Sequence, residues 1–289
     1  MPGDHELPLP HNGMGTVTTS KPAQYDISVV IACYQEEGHL ADSVRQLTET
    51  LDATGRSYEL IFVEDKSRDR TAEVVAELVK GQANRRAIYH EHNVGRGGTV
   101  TEGFLLATGH IVGFLDIDLE VHSRFLPSVL AAIDAGADGA TAFRHYSPGW
   151  RPTALLRGFL SQGYRWLFRR LFQVPFRDPE TGFKFFLREK IVPVVRRTRD
   201  VAWFWDSEIM VLAHHAGLRI VEVPCRFERR ADKVSTVRIV RDVWRYLVAI
   251  RAFRAQQRQV EHPESTAATQ STPSSRSSAS DRPARSATK

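Results

Sequence analysis

Cysteine is scarce in this chain. There are two in 289 residues, Cys33 and Cys225. Two thiols cannot supply the disulfide framework of a small secreted domain. Both sit beside apolar strand-like runs, so the pattern predicts buried, inert thiols and a reducing cytoplasm. Long apolar runs are missing too. None approaches the roughly 18 residues that a membrane-spanning helix needs, so a spanning segment is not expected. The opening stretch MPGDHELPLPHNGMGTVTTSKP has no apolar core of the kind a secretory leader carries, so no signal peptide is expected. No recognised nucleic-acid-binding motif occurs either. That leaves a DNA- or RNA-binding reading resting on basic charge alone.

What the chain does have is an apolar fraction of 42%, enough to bury a core in one large domain or two small ones. Its net charge of +5 is unevenly spread. Residues 21–143 carry 11 Lys/Arg against 19 Asp/Glu, a balance of −8, whereas residues 144–199 carry 13 against 3 and residues 226–258 carry 10 against 3. Solvated surface charge explains any one of these clusters but explains their segregation poorly. An acidic front half and a basic back half point to two ligands of different character.

Residues 1–24 are rich in Pro, Gly and Thr and residues 258–289 in Ser, Thr, Pro and Ala, and both are expected to be disordered. Between them, a domain over 25–257 alternates strands with helices. Strands are expected at 26–32, 58–65, 86–91, 111–116 and 139–144. The intervening helices run from Glu37 to Thr54 (stopped by Gly55), over 70–80 behind a capping Asp69, up to Thr108 (ended by Gly109), and from a capping Ser123 to Ala135. This order predicts an α/β fold with a mostly parallel sheet. Ligands in such sheets bind outside the carboxyl ends of the strands. Tyr34–Glu36, Glu64–Asp65, Asn93–Gly98 and Asp116–Glu120 all fall there.

The stretch IVGFLDIDLE ends an apolar run in Asp116, Asp118 and Glu120. Clustered carboxylates repel one another unless a cation or hydrogen bonds hold them. If 116–120 stay extended, the three lie on one side. Hard oxygen donors suit Mg²⁺ or Mn²⁺, which usually also bind substrate phosphates. Asp65, at the end of the second strand, can accept hydrogen bonds from a base or ribose, or simply cap the loop before the next helix. The turn NVGRGG brings flexible backbone and Arg96 to a helix start, an arrangement suited to a diphosphate. His122 is four residues past Asp118, within possible reach of a metal. His214 and His215 point apart on one helix and read as structural or surface residues.

The order of these motifs resembles family 2 glycosyltransferases of the GT-A fold. SVVIACYQEE resembles their opening strand and loop, ELIFVEDKSRDRT their second-strand motif, and DID their metal motif. Within that family, NVGRGGTVTEGFLLATGHIVGFLDIDLE, FRDPETGFKFFLRE and WFWDSEIMVLAHHAGLRIVEVPC are most similar to dolichol-phosphate and polyprenyl-phosphate sugar synthases. The resemblance spans about residues 26–250. It implies an inverting hexosyltransferase that uses a nucleotide-sugar of the UDP-glucose or GDP-mannose type. Ala32, Tyr34 and Glu36 would frame the nucleotide, Asp65 would contact it, and Asp116 would lie by the ribose and diphosphate. Asp118 and Glu120 would hold the metal, and Asp178 would lie near the sugar and diphosphate. Glu64, Arg96 and the ADKVS stretch depart from the usual pattern, so of that last stretch only Lys233 carries over.

A polyprenyl phosphate already bears an ionised oxygen and needs cations rather than a strong base. Arg144, Arg157, Ser161, Arg229 or Arg230, and Lys233 are the candidates. Arg157 and Ser161 lie one helical turn apart, and the resemblance also places an Arg-x-x-x-Ser pair at the acceptor phosphate. GFLSQGYRWLFRRLFQVPF (158–176) is dense in aromatics and arginines. RIVRDVWRYLVAI (238–250) groups Arg238, Arg241 and Arg245 opposite an apolar face, with the regular helix expected to end near Ile250. Such a helix can lie on an anionic membrane or pack on the sheet. With the charge segregation, peripheral contact with the inner face of the cell membrane is the expectation. The alternative is a soluble family 2 enzyme acting on a hydroxyl acceptor, with Asp206 or Glu208 as base.

Overall fold

The computed structural model describes residues 23–145, 163, 166, 168–228 and 248–255. The chain divides into two compact units, residues 1–234 and 235–289. Of the second, residues 248–255 are helical, so helical structure is present beyond Ile250, where the sequence predicts its end. The terminal arms, Arg157, Ser161, Arg229, Arg230, Lys233 and residues 238–247 lie outside the described residues.

The first unit is built on a seven-stranded sheet ordered β3-β2-β1-β4-β6-β5-β7. Strand β1 (Tyr25–Cys33) is central, and Ile27, Val29, Val30 and Ile31 are all fully buried. Apolar residues at consecutive positions, rather than alternate ones, mark a strand covered on both faces. It pairs in parallel with β2 (Tyr58–Glu64) on one side and β4 (Gly109–Leu115) on the other. Beyond β2 lies β3 (Arg85–Tyr89), also parallel. The crossovers are α1 (Leu40–Asp52), α2 (Thr71–Val79) and α3 (Arg96–Leu106). Helix α3 carries the chain back across β1, so the order reverses between β1 and β4. That reversal opens the crevice in which open α/β sheets bind ligands.

Helix α1 shows how the pattern becomes packing. Leu40, Val44, Leu47 and Leu51 recur at helical spacing and are buried, while Arg45 on the outer face bridges Asp42 and Glu49 at 2.5 and 2.6 Å. Two expected helix boundaries differ. Gly109 does not end α3 but opens β4, where an added Cβ would stand 2.6 Å from the Ser28 nitrogen. Ser123 does not cap the next helix. His122 does so for a short 3₁₀ turn, Ser123–Phe125, its Nδ1 accepting from Arg124 N–H at 3.0 Å, before α4 (Leu126–Asp134) begins. The Ser123 hydroxyl instead meets Thr50 Oγ1 at 3.1 Å.

The expected parallel strand β5 (Gly139–His145) is present but does not neighbour β4. Strand β6 (Phe183–Leu187) inserts between them, antiparallel to both, and Phe185 lies over Gly113, where a Cβ would meet its ring at 2.1 Å. Helices α5 (Arg188–Val195) and α6 (Trp205–His215) follow, and β7 (Ile220–Arg226) closes the edge beside β5.

Candidate active site

The carboxyl ends of β1, β2 and β4 open on the crevice, and each turns sharply. Gln35, Lys66 and Leu119 adopt left-handed φ values of 58°, 58° and 54°. Such conformations cost non-glycine residues about 1–3 kcal/mol and cluster where a chain aims groups at a ligand. Ala32 and Cys33 end β1, Tyr34 stands 40% exposed at the crevice, and Glu36 N–H donates to Thr71 Oγ1 at 2.8 Å.

The carboxylates of DIDLE converge, but by a turn rather than by an extended strand. Leu119 N–H closes back on the Asp116 carbonyl at 3.1 Å, and Glu120 N–H donates to Asp118 Oδ1 at 3.2 Å. Asp116, Asp118 and Glu120 thereby line one cleft with Arg144, Thr181, Gly182 and Phe227. Enclosure among protein atoms raises the Asp116 pKa, against the opposing pull of Arg96, although the carboxylate opens on the cleft. Among the described residues, no three His, Cys, Asp or Glu side chains form a ready metal cage. The donors fit instead a hard cation held by one or two carboxylates and completed by substrate phosphate and water. His122 is already engaged with the Arg124 N–H.

Asp65 anchors the glycine-rich turn and does not cap α2; Asp69 performs that task, its Oδ1 accepting from Thr71 N–H at 3.1 Å. Asp65 Oδ1 accepts from Val94 N–H at 2.8 Å, and Oδ2 accepts from Gly95 N–H at 2.9 Å. His90 stands between Asp65 (Nδ1, 2.8 Å) and Glu102 (Nε2, 2.6 Å). Burial pulls the His90 pKa down, but hydrogen bonds to the two carboxylates outweigh it and the net shift is upward.

The turn's glycines serve packing. Gly97 and Gly98 N–H both point at the Val201 carbonyl, at 2.9 and 3.3 Å, so another loop occupies the start of α3. A Cβ on Gly95 would stand 2.4 Å from that carbonyl oxygen, and one on Gly97 would stand 2.6 Å from Trp205 Cβ. This docking fixes Arg96. Its guanidinium reaches Asp116 at 2.6 Å and pairs with Asp206, with Phe114 and Trp203 ring centroids at 5.2 and 5.4 Å. The paired carboxylates outweigh burial and push the Arg96 pKa further up. Lys184, wholly buried, holds the other Asp206 oxygen at 3.1 Å. Burial lowers the Lys184 pKa, with Asp206 opposing.

Asp178 is held on the far wall. Arg144 grips it with two bonds of 2.7 Å, and Glu222 accepts from the Arg177 and Asp178 N–H groups at 2.7 and 2.8 Å. Glu208 lies apart from the cleft lining, accepting from the Arg199 and Asp200 N–H groups. His214 packs against the Phe176 ring, and His215 Nε2 meets the Phe172 carbonyl at 3.1 Å.

The structure thus gathers Asp116, Asp118, Glu120 and Arg144 at one cleft, with Arg96 and Asp206 behind Asp116 and Asp178 behind Arg144. Sequence reasoning missed Lys184, Thr181, His90 and Trp203. A lysine in the middle of the apolar run FKFFL was the one available signal.

Residues 28–191 match the family model described as Glycosyl transferase family 2. The chain is 31% identical over 243 residues to glycosyltransferase AglD of Haloferax volcanii, covering 80% of this chain and 38% of that protein. It therefore spans well under half the length of that relative. It is 28% identical over 237 residues to dolichyl-phosphate beta-glucosyltransferase ALG5A of Trichomonas vaginalis, covering 77% of this chain and 69% of that one. Among solved structures, glucosyl-3-phosphoglycerate synthase from Mycobacterium tuberculosis, in complex with Mn²⁺, UDP and glucosyl-3-phosphoglycerate, matches with a TM-score of 0.59 at 17% identity over 80% of each chain. That likeness speaks to the fold, a mostly parallel GT-A-like sheet with flanking helices. With the model matched over more than half its length, the chain belongs to glycosyl transferase family 2.

Proposed function

We propose that this chain moves a hexose from a nucleotide-sugar to a polyprenyl phosphate, with inversion at C1, at the surface of a membrane. The observation that carries this reading is the state of the candidate bases. Asp206 has both oxygens occupied by Arg96 and Lys184, and it is buried. Glu208 is spent on loop N–H groups, and Asp178 is gripped by Arg144. A hydroxyl acceptor requires a base that can take its proton, whereas a phosphate acceptor arrives ionised. The relatives named as dolichyl-phosphate beta-glucosyltransferases support the same acceptor class.

Asp118 and Glu120 are the residues we assign to a divalent cation, Mg²⁺ or Mn²⁺, which when bound supplies Lewis-acid stabilisation of the departing diphosphate. Arg96, fixed beside Asp116, adds positive charge at that end of the cleft. Ala32, Tyr34, Glu36 and Asp65 frame the nucleotide. As the C1–O bond breaks, the acceptor phosphate oxygen attacks from the opposite face. Arg144, Arg157, Ser161, Arg229 and Lys233 are the residues we assign to that phosphate. No helix among the described residues is long and apolar enough to cross a membrane. Membrane contact is assigned to the basic helix and to the aromatic and arginine segment 158–176, of which Trp166 is exposed while Phe168, Phe172 and Phe176 are buried in the protein.

The test offers UDP-glucose, GDP-mannose and UDP-N-acetylglucosamine to the purified chain, with and without polyprenyl phosphate. A glycosylated lipid phosphate should form with one donor and disappear when EDTA removes the cation. If polyprenyl phosphate is not used and Asp206→Asn is folded but inactive towards a hydroxyl acceptor, the alternative enzyme class replaces this reading.

A further inference from the structure

Thr181 lines the carboxylate cleft and is wholly buried, yet among the described residues its hydroxyl has no hydrogen-bond partner. A buried hydroxyl without a partner loses its hydration and gains nothing in return. The backbone around it is closely held. The Thr181 carbonyl takes the Lys184 ammonium, and the next carbonyl, of Gly182, accepts from Asp116 N–H at 2.7 Å. No side chain fits at Gly182, since a Cβ there would stand 1.8 Å from Asp116 Oδ2. Thr181 therefore lines the cleft together with the carboxylates, and its hydroxyl's bonding capacity is unused.

We infer that the Thr181 hydroxyl binds a ring hydroxyl of the transferred hexose, and so helps to decide which sugar is accepted. This rests on the donor class proposed above. The chemistry of the cleft selects the sugar over the diphosphate. Among the described residues its walls present three carboxylates, Asp116, Asp118 and Glu120, and the lining Arg144 has its Nε and Nη2 bonded to Asp178. A sugar hydroxyl can donate to a carboxylate and still accept from a threonine hydroxyl. A phosphate oxygen only accepts, and in this cleft it is met by the cation assigned to Asp118 and Glu120 rather than by a neutral hydroxyl. The Thr181 hydroxyl is neutral and two-way, so it matches the sugar.

The test uses Thr181→Val, which replaces the hydroxyl by a methyl of near-equal volume, and Thr181→Ser, which keeps it. Affinities for UDP-glucose and GDP-mannose are measured beside those for UDP and GDP, with Mg²⁺ or Mn²⁺ present. In the Val variant, affinity for the preferred nucleotide-sugar should fall about tenfold, while that for the free nucleoside diphosphate stays unchanged. The Ser variant should bind both like the wild type. One monodeoxy analogue of the donor should bind wild type and Val variant equally, because the partner hydroxyl is gone from both. The ligand-free Val variant should melt no lower than the wild type, since it loses a buried group without a partner. Equal losses for sugar nucleotide and free diphosphate, no loss at all, or a destabilised ligand-free Val variant would each overturn the inference. If the wild type binds no nucleotide-sugar, the proposed function fails and this inference fails with it. If it binds one and the Val variant binds it as well, the inference alone fails.

Discussion

Lys184 holds Asp206 at 3.1 Å in a wholly buried position, and Asp206 in turn pairs with Arg96 beside Asp116. Two cations and two carboxylates alternate along this line. Removing one partner of a buried pair leaves its opposite charge uncompensated, at a cost of about 3–5 kcal/mol. Lys184→Met and Asp206→Asn should each lose stability of that order in urea unfolding, and activity should fall with it. If Asp206 acted as the base, Asp206→Asn would be inactive with little change in stability.

The glycine turn divides sharply by position. Gly95→Ala places a Cβ against the Val201 carbonyl at a φ of 92°, and Gly97→Ala places one against Trp205. Both should destabilise the chain and lower activity, because the 199–205 loop must retreat and release Arg96. Overpacking of this kind costs about 1–3 kcal/mol. Gly98→Ala meets nothing closer than Val94 Cγ2 at 3.2 Å, the end of a side chain. It should be near neutral in melting temperature, which separates packing from mere glycine content.

His90 gives stability a pH dependence. Its folded pKa lies above the ordinary histidine value of 6.5. Between those two values the folded chain holds more protons than the unfolded one, so stability falls as pH rises. The His90 contribution is complete below about 6.5 and lost as pH passes through the folded value. His90→Gln should flatten the melting-temperature profile across that interval. An identical profile in both proteins would contradict the bridge between Asp65 and Glu102.

Asp118→Ala should abolish turnover and the metal-dependent part of nucleotide-sugar binding while leaving the fold intact. The carboxylate lines the cleft beside Asp116 and Glu120, and its loss relieves repulsion in the metal-free chain. Titration with Mn²⁺ at fixed nucleotide-sugar reads this directly. Near-normal activity would remove Asp118 from the metal assignment.

Arg157→Ala and Ser161→Ala should weaken use of polyprenyl phosphate far more than binding of the nucleotide-sugar. A charge-assisted hydrogen bond is worth about 1.5–3 kcal/mol, or roughly one to two decades in acceptor efficiency. Steady-state kinetics with each substrate varied in turn makes the comparison. Equal effects on donor and acceptor would argue for a role in folding instead.

The sequence by itself determined the elements whose signals are local. Consecutive apolar residues at 26–32, 58–65 and 111–116 predicted buried parallel strands, and Gly55 takes a left-handed conformation in the turn just past α1, which ends at Asp52 rather than Thr54. The carboxylate cluster at 116–120 was legible because like charges at close spacing need a reason. Tertiary structure decided what depends on distant partners. No local pattern places β6 antiparallel between β4 and β5, because that choice is made by pairing Phe185 with Gly113 and Ala140, far away in sequence. The turn NVGRGG looked like a phosphate cradle. The Val201 carbonyl, over a hundred residues later, takes its N–H groups, and Asp65 locks it from behind. Lys184, Asp206 and Arg96 come from a strand and the starts of two helices, and only folding makes them neighbours. A charge can be buried there because its partners arrive from elsewhere in the chain, and spacing along the sequence carries no record of that meeting.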